Sequence, residues 1–268
     1  MSKNFKVGID YGGTKIEGIL MDNEGNEILR KRSTYEKNYK SGIQTVSSLV
    51  EEFDKHTGTI NTVGVGIPGS SSKETGLIKN ANSIWLNDKP FKQDLENSLG
   101  RNIRLMNDAN CFALSESIDG SGRGYDSVWG VIIGSGFGGS FVYKNQVIEG
   151  VNQVAGDWGH QPLPYPNEEE QELGLKCKVG NCHRPLCAEQ FISGVGFTKL
   201  FNLKYRTNFR TREIVALEAN GDERAKKEFD LYEDRFARLI AIMIGIVDPD
   251  VIILGGGCLL YTSDAADE

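Results

Sequence analysis

The first 35 residues alternate between short apolar runs and turn residues. One apolar run covers residues 5–9 and leads into Gly12-Gly13, a second covers residues 16–21, and a third follows the turn sequence NEGN. Runs of this length, bounded by glycine and asparagine, are typical of β-strands joined by tight turns. The pattern therefore predicts three consecutive strands with a glycine turn after the first.

The same pattern returns in the second half of the chain. A run over residues 128–133 meets the glycine-rich sequence GSGFGG, and further strands are predicted over residues 140–143 and after Lys144-Asn145. Two strand–turn–strand–turn–strand segments in one chain indicate a duplicated α/β architecture. Each of its two lobes would carry one phosphate-binding turn.

Periodicity also predicts the elements between and after these segments. Helices are predicted over residues 42–56, from near residue 109 and over residues 222–247, and strands over residues 62–69, 103–108 and 251–254. In the longest helix apolar residues recur at three- and four-residue spacing, and Asp248-Pro249 ends it. We place an N-terminal lobe over residues 1–114 and a C-terminal lobe over residues 115–257.

Composition narrows the class of protein. The chain has 268 residues, of which 39% are hydrophobic and 25% are charged. A chain of this length and hydrophobic content can bury a full core. No apolar run is long enough to span a bilayer and no signal peptide is apparent, so we expect a cytoplasmic protein without a membrane partner. A net charge of −7 disfavours nucleic acid as a partner. The odd number of cysteines, 5, favours reduced thiols and metal binding over disulfides.

The last eleven residues, CLLYTSDAADE, break the pattern directly after an apolar strand and three glycines. Their back-translation resembles read-through into a sequencing adapter. We therefore expect residues 258–268 to be a non-native tail on a chain whose native C-terminus is missing. The alternative is a short, polar natural tail.

Two glycine turns are candidates for binding phosphate. In IDYGGTK the glycines let successive backbone N–H groups face an anion, and a preceding aspartate can hold Mg²⁺ through water. The alternative for either turn alone is a plain hairpin turn, but two in repeated positions favour a nucleotide. The candidate residues are Asp10, Gly12, Gly13, Thr14 and Lys15 in the first turn and Gly134, Ser135, Gly136 and Gly138 in the second.

Asn107 and Asp108 lie where a predicted strand ends and a helix begins. Asp108 can cap the helix, or it can accept a proton from a substrate hydroxyl during phosphoryl transfer; two nearby phosphate turns favour the second role. Asn80, Asn82 and Asn87 are neutral donors and acceptors of the kind that bind sugar hydroxyls. The alternative for these asparagines is that they form turns.

The motifs GIDYGGTK, GIPGS, MNDANC, IIGSGFGG, GDWGH and CKVGNCHRPLCAE resemble, in order and spacing, the ROK family of sugar kinases and sugar-responsive repressors. The resemblance covers residues 5–257. It implies an actin-like (ribonuclease H-like) α/β fold with two lobes that bind ATP, Mg²⁺ and a hexose between them. It also implies transfer of the γ-phosphoryl group to the 6-hydroxyl of the sugar.

The resemblance assigns roles to individual residues. Asp108 matches the catalytic base and Asn107 its sugar-binding neighbour. Asp157 stands where the family has a glutamate, which is one methylene longer, so its contact with the sugar is expected to lengthen or to include water. The adenosine turn matches Gly255, Gly256 and Gly257, and the expected sugar contacts are Asn80, Asn82, Asn107, Asp108, Asp157, His160 and Glu189. At the position of Ser135, members of the family more often have threonine.

The stretch CKVGNCHRPLCAE departs from the family pattern C-x-C-G-x-x-G-C-x-E. Cys182 and Cys187 match it, but Gly180 takes the place of the first cysteine, and Cys177 lies three residues earlier. Tetrahedral Zn²⁺ needs four ligands, which these three cysteines and His160 can supply. The alternative is a zinc-free loop of thiols.

Within the family, NANSIWLN and WGHQPLP look most like the bacterial fructokinase branch. We therefore predict an ATP-dependent kinase that converts D-fructose to fructose 6-phosphate, with mannose, glucose and N-acetylglucosamine as alternative substrates. The rival function is a non-catalytic sugar-sensing protein; repressors of the family carry a DNA-binding domain before the first phosphate strand, where this chain has about four residues. The family often forms dimers, so a homodimer is an expected assembly.

Overall fold

The computed structural model describes residues 5–176 and 184–258, which form two compact units. Unit 1 comprises the described part of Met1–Cys111 together with Gly150–Val154, and unit 2 comprises Phe112–Glu149 and the described part of Ala155–Glu268. Both units contain helices and strands, as the sequence predicts. Among the described helices, none combines the length and the apolar composition needed to cross a membrane.

Unit 1 is built on a five-stranded mixed sheet. Its strands are β1 (Lys6–Tyr11), β2 (Lys15–Met21), β3 (Glu27–Thr34), β4 (Thr62–Ile67), β5 (Ser70–Ser71), β6 (Ile78–Lys79) and β7 (Arg104–Asn107), and its helices are α1 (Tyr39–Thr57) and α2 (Phe91–Leu99), with a 3₁₀ turn at Ile84–Leu86. The sheet order is β3-β2-β1-β4-β7, and β5 and β6 pair separately. β1, β2 and β3 form the predicted antiparallel meander, and β1, β4 and β7 are parallel.

The helix predicted over residues 42–56 begins three residues earlier than expected. The side-chain oxygen of Asn38 accepts a hydrogen bond from Ser41 N at 2.8 Å and so caps the first turn of α1. The buried face of α1 includes Phe53, whose ring packs on β2 at Gly18; a Cβ on Gly18 would lie 2.7 Å from that ring. The cap and the close approach together set where α1 starts and how it sits on the sheet.

Unit 2 is built on a four-stranded sheet. Its strands are β8 (Ser127–Ile133), β9 (Phe137–Tyr143), β10 (Gln146–Val147) and β11 (Val251–Gly255). The remaining helices among the described residues are α3 (Asp108–Ile118), α4 (Glu168–Lys176), α5 (Ala188–Ile192), α6 (Gly194–Tyr205), α7 (Thr211–Ala219) and α8 (Glu223–Val247), with a 3₁₀ turn at Trp158–His160. The sheet order is β10-β9-β8-β11, with β11 parallel to β8. α8 and β11 lie where the periodicity predicts them.

The second glycine turn is shorter than the sequence suggests. Gly134 N donates to Gly136 O at 2.9 Å, and β9 starts at the next residue, so Gly138 and Gly139 are strand residues. A Cβ on Gly139 would lie 2.8 Å from the indole nitrogen of Trp158. Packing therefore requires glycine at this position, and the strand predicted after the turn begins earlier than expected.

A buried ion pair joins α4 to α8. Arg235 Nε donates to Glu170 Oε1 at 2.8 Å, and the two side chains are only 2% and 1% exposed. Arg238 donates to the same oxygen at 2.7 Å and to the carbonyl oxygen of Tyr165 at 2.9 Å. Burial alone would raise the pKa of Glu170, but the two guanidinium groups hold it below its ordinary value.

We predict that glutamine in place of Glu170 destabilises the fold, because Arg235 then lacks its buried counter-charge. Removing one partner of a buried pair costs roughly 3–5 kcal/mol, so we expect the free energy of unfolding to fall by about 3 kcal/mol. The control is Glu172→Gln, which breaks the exposed pair with Lys176 on the same helix and should cost less than about 0.5 kcal/mol. Urea unfolding followed by circular dichroism measures both, and equal stability of the two variants would contradict the prediction.

Candidate active site

The first glycine turn joins β1 to β2 and has an exposed side. Gly13, Thr14 and Lys15 are exposed, whereas the Tyr35 hydroxyl donates a hydrogen bond to Gly12 O at 3.0 Å. A Cβ on Gly12 would lie 2.8 Å from the carbonyl oxygen of Lys15, so the turn requires glycine there. The exposed backbone and side-chain donors of this turn are suited to an anion.

Two carboxylates lie at the sheet edge where β1, β4 and β7 end. Asp10 pairs with β4 at Gly66, and the last residue of β7 pairs with β4 one position further on, so Asp108 begins α3 at the same edge. The thiol of Cys111 lies near both carboxylates. Burial first, and then the charges of Asp108 and Asp10, raise its pKa to about 11. The structure therefore brings together two candidate residues that are far apart in sequence.

The surroundings of Asp10 disfavour its charged form. Desolvation by nearby protein atoms raises the pKa of this accessible carboxyl above its ordinary value; Glu17 adds to the increase and Arg32 opposes it. A neighbouring cation would favour the ionised form. The expected water-mediated Mg²⁺ would supply such a cation.

Asn107 caps α3, although the sequence pattern suggests Asp108 as a possible cap. The Asn107 side-chain oxygen accepts a hydrogen bond from Asn110 N at 3.2 Å, which is the i to i+3 pattern of an N-cap, and its Nδ2 donates to Gly69 O at 3.0 Å. One Asp108 oxygen accepts a hydrogen bond from the adjacent Ala109 N at 2.8 Å. Asn107 therefore secures the start of α3, and Asp108 stands exposed beside it.

The loop with the predicted sugar-binding asparagines is anchored by one of them. Asn87 accepts a hydrogen bond from Ala81 N at 2.8 Å and donates one to Ala81 O at 3.0 Å, so it forms the turn. Asn80 has a left-handed backbone (φ 57°), and both Asn80 and Asn82 are exposed. The loop packs on Gly69, where a Cβ would lie 2.5 Å from the carbonyl oxygen before Asn80. Asn80 and Asn107 are thus linked through Gly69.

In unit 2, three backbone segments meet at the second glycine turn. Gly194 N donates to Gly134 O at 2.9 Å, and Cys258 N donates to Ile133 O at 3.0 Å. Gly256 has a positive φ of 105°, and a Cβ there would lie 2.4 Å from Ile133 O. The predicted adenosine turn, residues 255–257, therefore lies against the end of β8, directly beside the predicted phosphate turn.

Glu189 is buried behind the second glycine turn. The residue is 6% exposed, and its Oε2 accepts a hydrogen bond from Phe137 N at 3.3 Å. A Cβ on Gly136 would lie 3.0 Å from the same oxygen, whereas the neighbouring Ser135 is exposed. Burial raises the pKa of Glu189; the Phe137 N–H and His160 oppose the increase, and Asp157 adds to it. The predicted residues Asp157, His160 and Glu189 therefore form one electrostatic cluster.

The 3₁₀ turn that carries His160 packs tightly on β9. The Trp158 ring lies 5.0 Å from the Phe137 ring and 5.5 Å from the Trp129 ring, measured between centroids. A Cβ on Gly159 would lie 1.8 Å from Phe137 O, so only glycine fits. This contact fixes the backbone immediately before His160.

The side chains of His160 and Cys187 lie close together. The Cys187 Sγ lies 3.6 Å from His160 Nδ1, and a β-bridge between Pro162 and Cys187 holds the two segments together. Sulfur and nitrogen ligands on tetrahedral Zn²⁺ lie about 3.5 Å apart, given Zn–S near 2.3 Å and Zn–N near 2.0 Å. Cys177 and Cys182 lie outside the described residues. Within the described ranges, no three His, Cys, Asp or Glu side chains are arranged to hold a metal.

Three residues beside the candidate site have no role in the sequence analysis. They are Tyr35, Cys111 and Gly194. The i, i+3 spacing of Asp108 and Cys111 on a helix could have indicated their contact. Tyr35 and Gly194 carry no local signal, because each reaches its glycine turn through packing between distant segments.

Comparison with known proteins identifies relatives along almost the whole chain. The family model described as ROK family matches residues 6–263. Two proteins named N-acetyl-D-glucosamine kinase, from Citrobacter koseri and Escherichia fergusonii, are each 37% identical to this chain over 257 residues, covering 96% of this chain and 85% of theirs.

Solved structures match as well. The ROK hexokinase from Thermus thermophilus aligns with a TM-score of 0.82 at 25% identity, covering 97% of this chain and 84% of that one. The ROK family glucokinase from Streptomyces griseus, solved with glucose and AMPPNP, aligns with a TM-score of 0.78 at 22% identity, covering 98% and 86%. By family model, sequence and fold, the chain belongs to the ROK family and has the actin-like α/β fold of its sugar kinases.

Proposed function

We propose that this protein is an ATP-dependent kinase that phosphorylates the 6-hydroxyl of a hexose. The observation that carries the proposal is the position of Asp108 at the sheet edge that also holds Asp10 and the first glycine turn. A base, a carboxylate that favours a cation and an anion-binding turn are the groups that phosphoryl transfer requires. The names of the relatives, which are sugar kinases, support the same conclusion.

In the proposed reaction, Asp108 takes the proton of the 6-hydroxyl as the sugar oxygen bonds to the γ-phosphorus. The bond between the γ-phosphorus and the bridging oxygen breaks, and ADP leaves with the electron pair. Asp10 would hold through water the Mg²⁺ bound with ATP, and this ion would neutralise phosphate charge. Because Asn107 caps α3, Asp108 starts from a fixed backbone, and we attribute most of the rate enhancement to such positioning and to charge stabilisation.

We propose further that the sugar contacts are made by exposed amides and by the cluster around Glu189. Asn80 and Asn82 offer neutral donors and acceptors, and the carboxylates of Asp157 and Glu189 accept hydrogen bonds from hydroxyls. A sugar hydroxyl that donates to buried Glu189 would stabilise its charged form, which burial disfavours. His160 belongs to this cluster and would orient the sugar.

Two sugars lead as substrates, for different reasons. D-Fructose is favoured by the resemblance of NANSIWLN and WGHQPLP to bacterial fructokinases. N-Acetyl-D-glucosamine is favoured by the names of relatives that are 36–37% identical over nearly the whole chain. We place fructose first, because these local motifs include the predicted sugar contacts Asn80, Asn82 and His160.

A coupled assay for ADP release tests the function and the sugar together. With ATP and Mg²⁺, we expect the highest kcat/KM for D-fructose in a panel that also contains N-acetyl-D-glucosamine, D-mannose and D-glucose. A higher value for N-acetyl-D-glucosamine would replace fructose and keep the kinase. Sugar binding without turnover on any hexose would reject the kinase in favour of a sugar-sensing protein.

Asp108→Asn tests the proposed base. The amide cannot accept the proton, so we expect kcat to fall by at least about 100-fold, within the range for loss of a general base. Asp119→Asn is the matched control, because Asp119 is exposed just beyond the other end of α3 and should leave kcat unchanged. A kcat for Asp108→Asn within a few-fold of the unmodified protein would contradict this role.

We propose that the chain binds a structural Zn²⁺ through His160 and Cys187, with Cys177 and Cys182 as the remaining ligands. The support is the 3.6 Å between Cys187 Sγ and His160 Nδ1, together with a composition that matches a tetrahedral His and Cys site. Such a metal would hold the segments of His160 and of Glu189 beside each other.

Metal analysis of the purified protein measures this directly. We expect about one equivalent of zinc in the unmodified protein and less than about a tenth in Cys187→Ser, because a hydroxyl is a poor replacement for a thiolate ligand. Cys111→Ala serves as the control, since Cys111 lies in unit 1 and should keep the full zinc content. Less than a tenth of an equivalent in the unmodified protein would reject the site.

A further inference from the structure

Five aromatic side chains of unit 1 form a cluster behind the first glycine turn. They are Tyr11, Tyr35, Tyr39, Trp85 and Phe91, with ring centroids 5.3 to 6.2 Å apart in contacting pairs that all meet edge to face. Tyr11, the last residue of β1, is fully buried at its centre. Such packing holds each ring in one orientation, which in turn aims the polar atoms that the rings carry.

Two hydrogen bonds connect the cluster to the first glycine turn and to the loop that carries Asn80 and Asn82. The Tyr35 hydroxyl donates to Gly12 O at 3.0 Å, and Trp85 Nε1 donates to the Tyr11 hydroxyl at 3.2 Å. Trp85 belongs to the loop that carries Asn80 and Asn82. In the same loop, Ser83 Oγ would lie 3.7 Å from a Cβ on Gly13, so the loop passes close to the turn.

The bond from Tyr35 has a consequence for the neighbouring N–H group. The carbonyl of Gly12 and the N–H of Gly13 belong to one planar trans peptide, in which they point in opposite directions. A carbonyl held towards Tyr35 therefore directs the Gly13 N–H away from the cluster. Gly13 is exposed, so this N–H is presented to the solvent side, where an anion can reach it.

We propose that Tyr35 and Trp85 are positioning residues for the phosphoryl donor, a role that rests on the proposed kinase function. Tyr35 fixes the peptide that aims Gly13 N–H at the triphosphate, and Trp85 fixes the buried Tyr11 on which Tyr35 packs. The first glycine turn and the loop that carries Asn80 and Asn82 are thereby held in a fixed position relative to each other. Neither side chain need touch the substrate.

Binding of Mg·AMPPNP, measured by isothermal titration calorimetry, tests the role of Tyr35. In Tyr35→Phe the ring stays but the hydrogen bond is lost, and a net loss of about 1 kcal/mol corresponds to a Kd about 5-fold higher. Tyr39→Phe is the matched control, because it also removes one tyrosine hydroxyl from the cluster. In the unmodified protein that hydroxyl donates to Asp94 at 2.6 Å and not to the turn. We expect its Kd to change by less than about 2-fold. Equal Kd values for the two variants would overturn the proposal.

The kinetic parameters separate positioning from a general loss of stability. Tyr35→Phe should raise the KM for ATP and leave kcat and the KM for the sugar within about 2-fold, whereas partial unfolding would lower kcat. Trp85→Phe, which keeps one aromatic ring but removes the five-membered ring of the indole with its N–H, should raise the KM for ATP and the KM for the sugar together. A change in kcat alone in either variant would overturn the positioning role.

The outcomes also separate this inference from the proposed function. If the unmodified protein phosphorylates no hexose but binds Mg·AMPPNP more tightly than Tyr35→Phe does, the positioning role stands and the kinase function fails. If it phosphorylates a hexose and Tyr35→Phe matches Tyr39→Phe, the function stands and the positioning role fails. No binding of Mg·AMPPNP by the unmodified protein would overturn the inference.

Discussion

The parallel pairing of β1, β4 and β7 is the constraint on which the candidate site of unit 1 depends. Parallel strands in register end at one edge of a sheet, so the residues that follow them meet there whatever their separation in sequence. Asp10 and Asp108 come together in this way, with Gly66 between them. A slip of one residue would turn Asp10 to the other face of the sheet, which explains why the buried alternation of β1 and β4 matters for chemistry as well as for stability.

In unit 2, the candidate residues are brought together by close packing of backbone segments at glycines and not by the register of parallel strands. Gly139 and Gly159 allow the Trp158 turn to lie directly on β9, and Gly256 allows the last turn to lie on the end of β8. Glu189 is then buried behind the second glycine turn, where its charge is disfavoured unless a donor compensates it. A buried carboxylate with a raised pKa beside an exposed aspartate and a histidine is typical of a binding site for a polar ligand.

Part of this organisation was predictable from local pattern. The meander of β1, β2 and β3, the long helix α8 and the strand β11 follow from periodicity and turn residues, which act over a few positions. The asparagines show where such reasoning stops. Asn87 forms a turn while Asn80 and Asn82 are exposed, and Asn107 caps α3 while its neighbour Asp108 is exposed. In each case identical or similar side chains differ only in which backbone groups lie nearby, and that depends on the folded chain.

The sequence by itself determined the family, the two glycine turns and the residue types of the candidate site, because each is written in a short ordered motif. Only the tertiary structure decided that Tyr35 holds the first turn, that Gly194 meets the second, and that Cys187 Sγ lies 3.6 Å from His160 Nδ1. It also divided GSGFGG into a turn and a strand, since the need for Gly139 comes from the carbonyl oxygen of Gly130 and the indole of Trp158. These contacts join segments that are distant in the chain, so no local pattern of hydrophobic and polar residues can encode them.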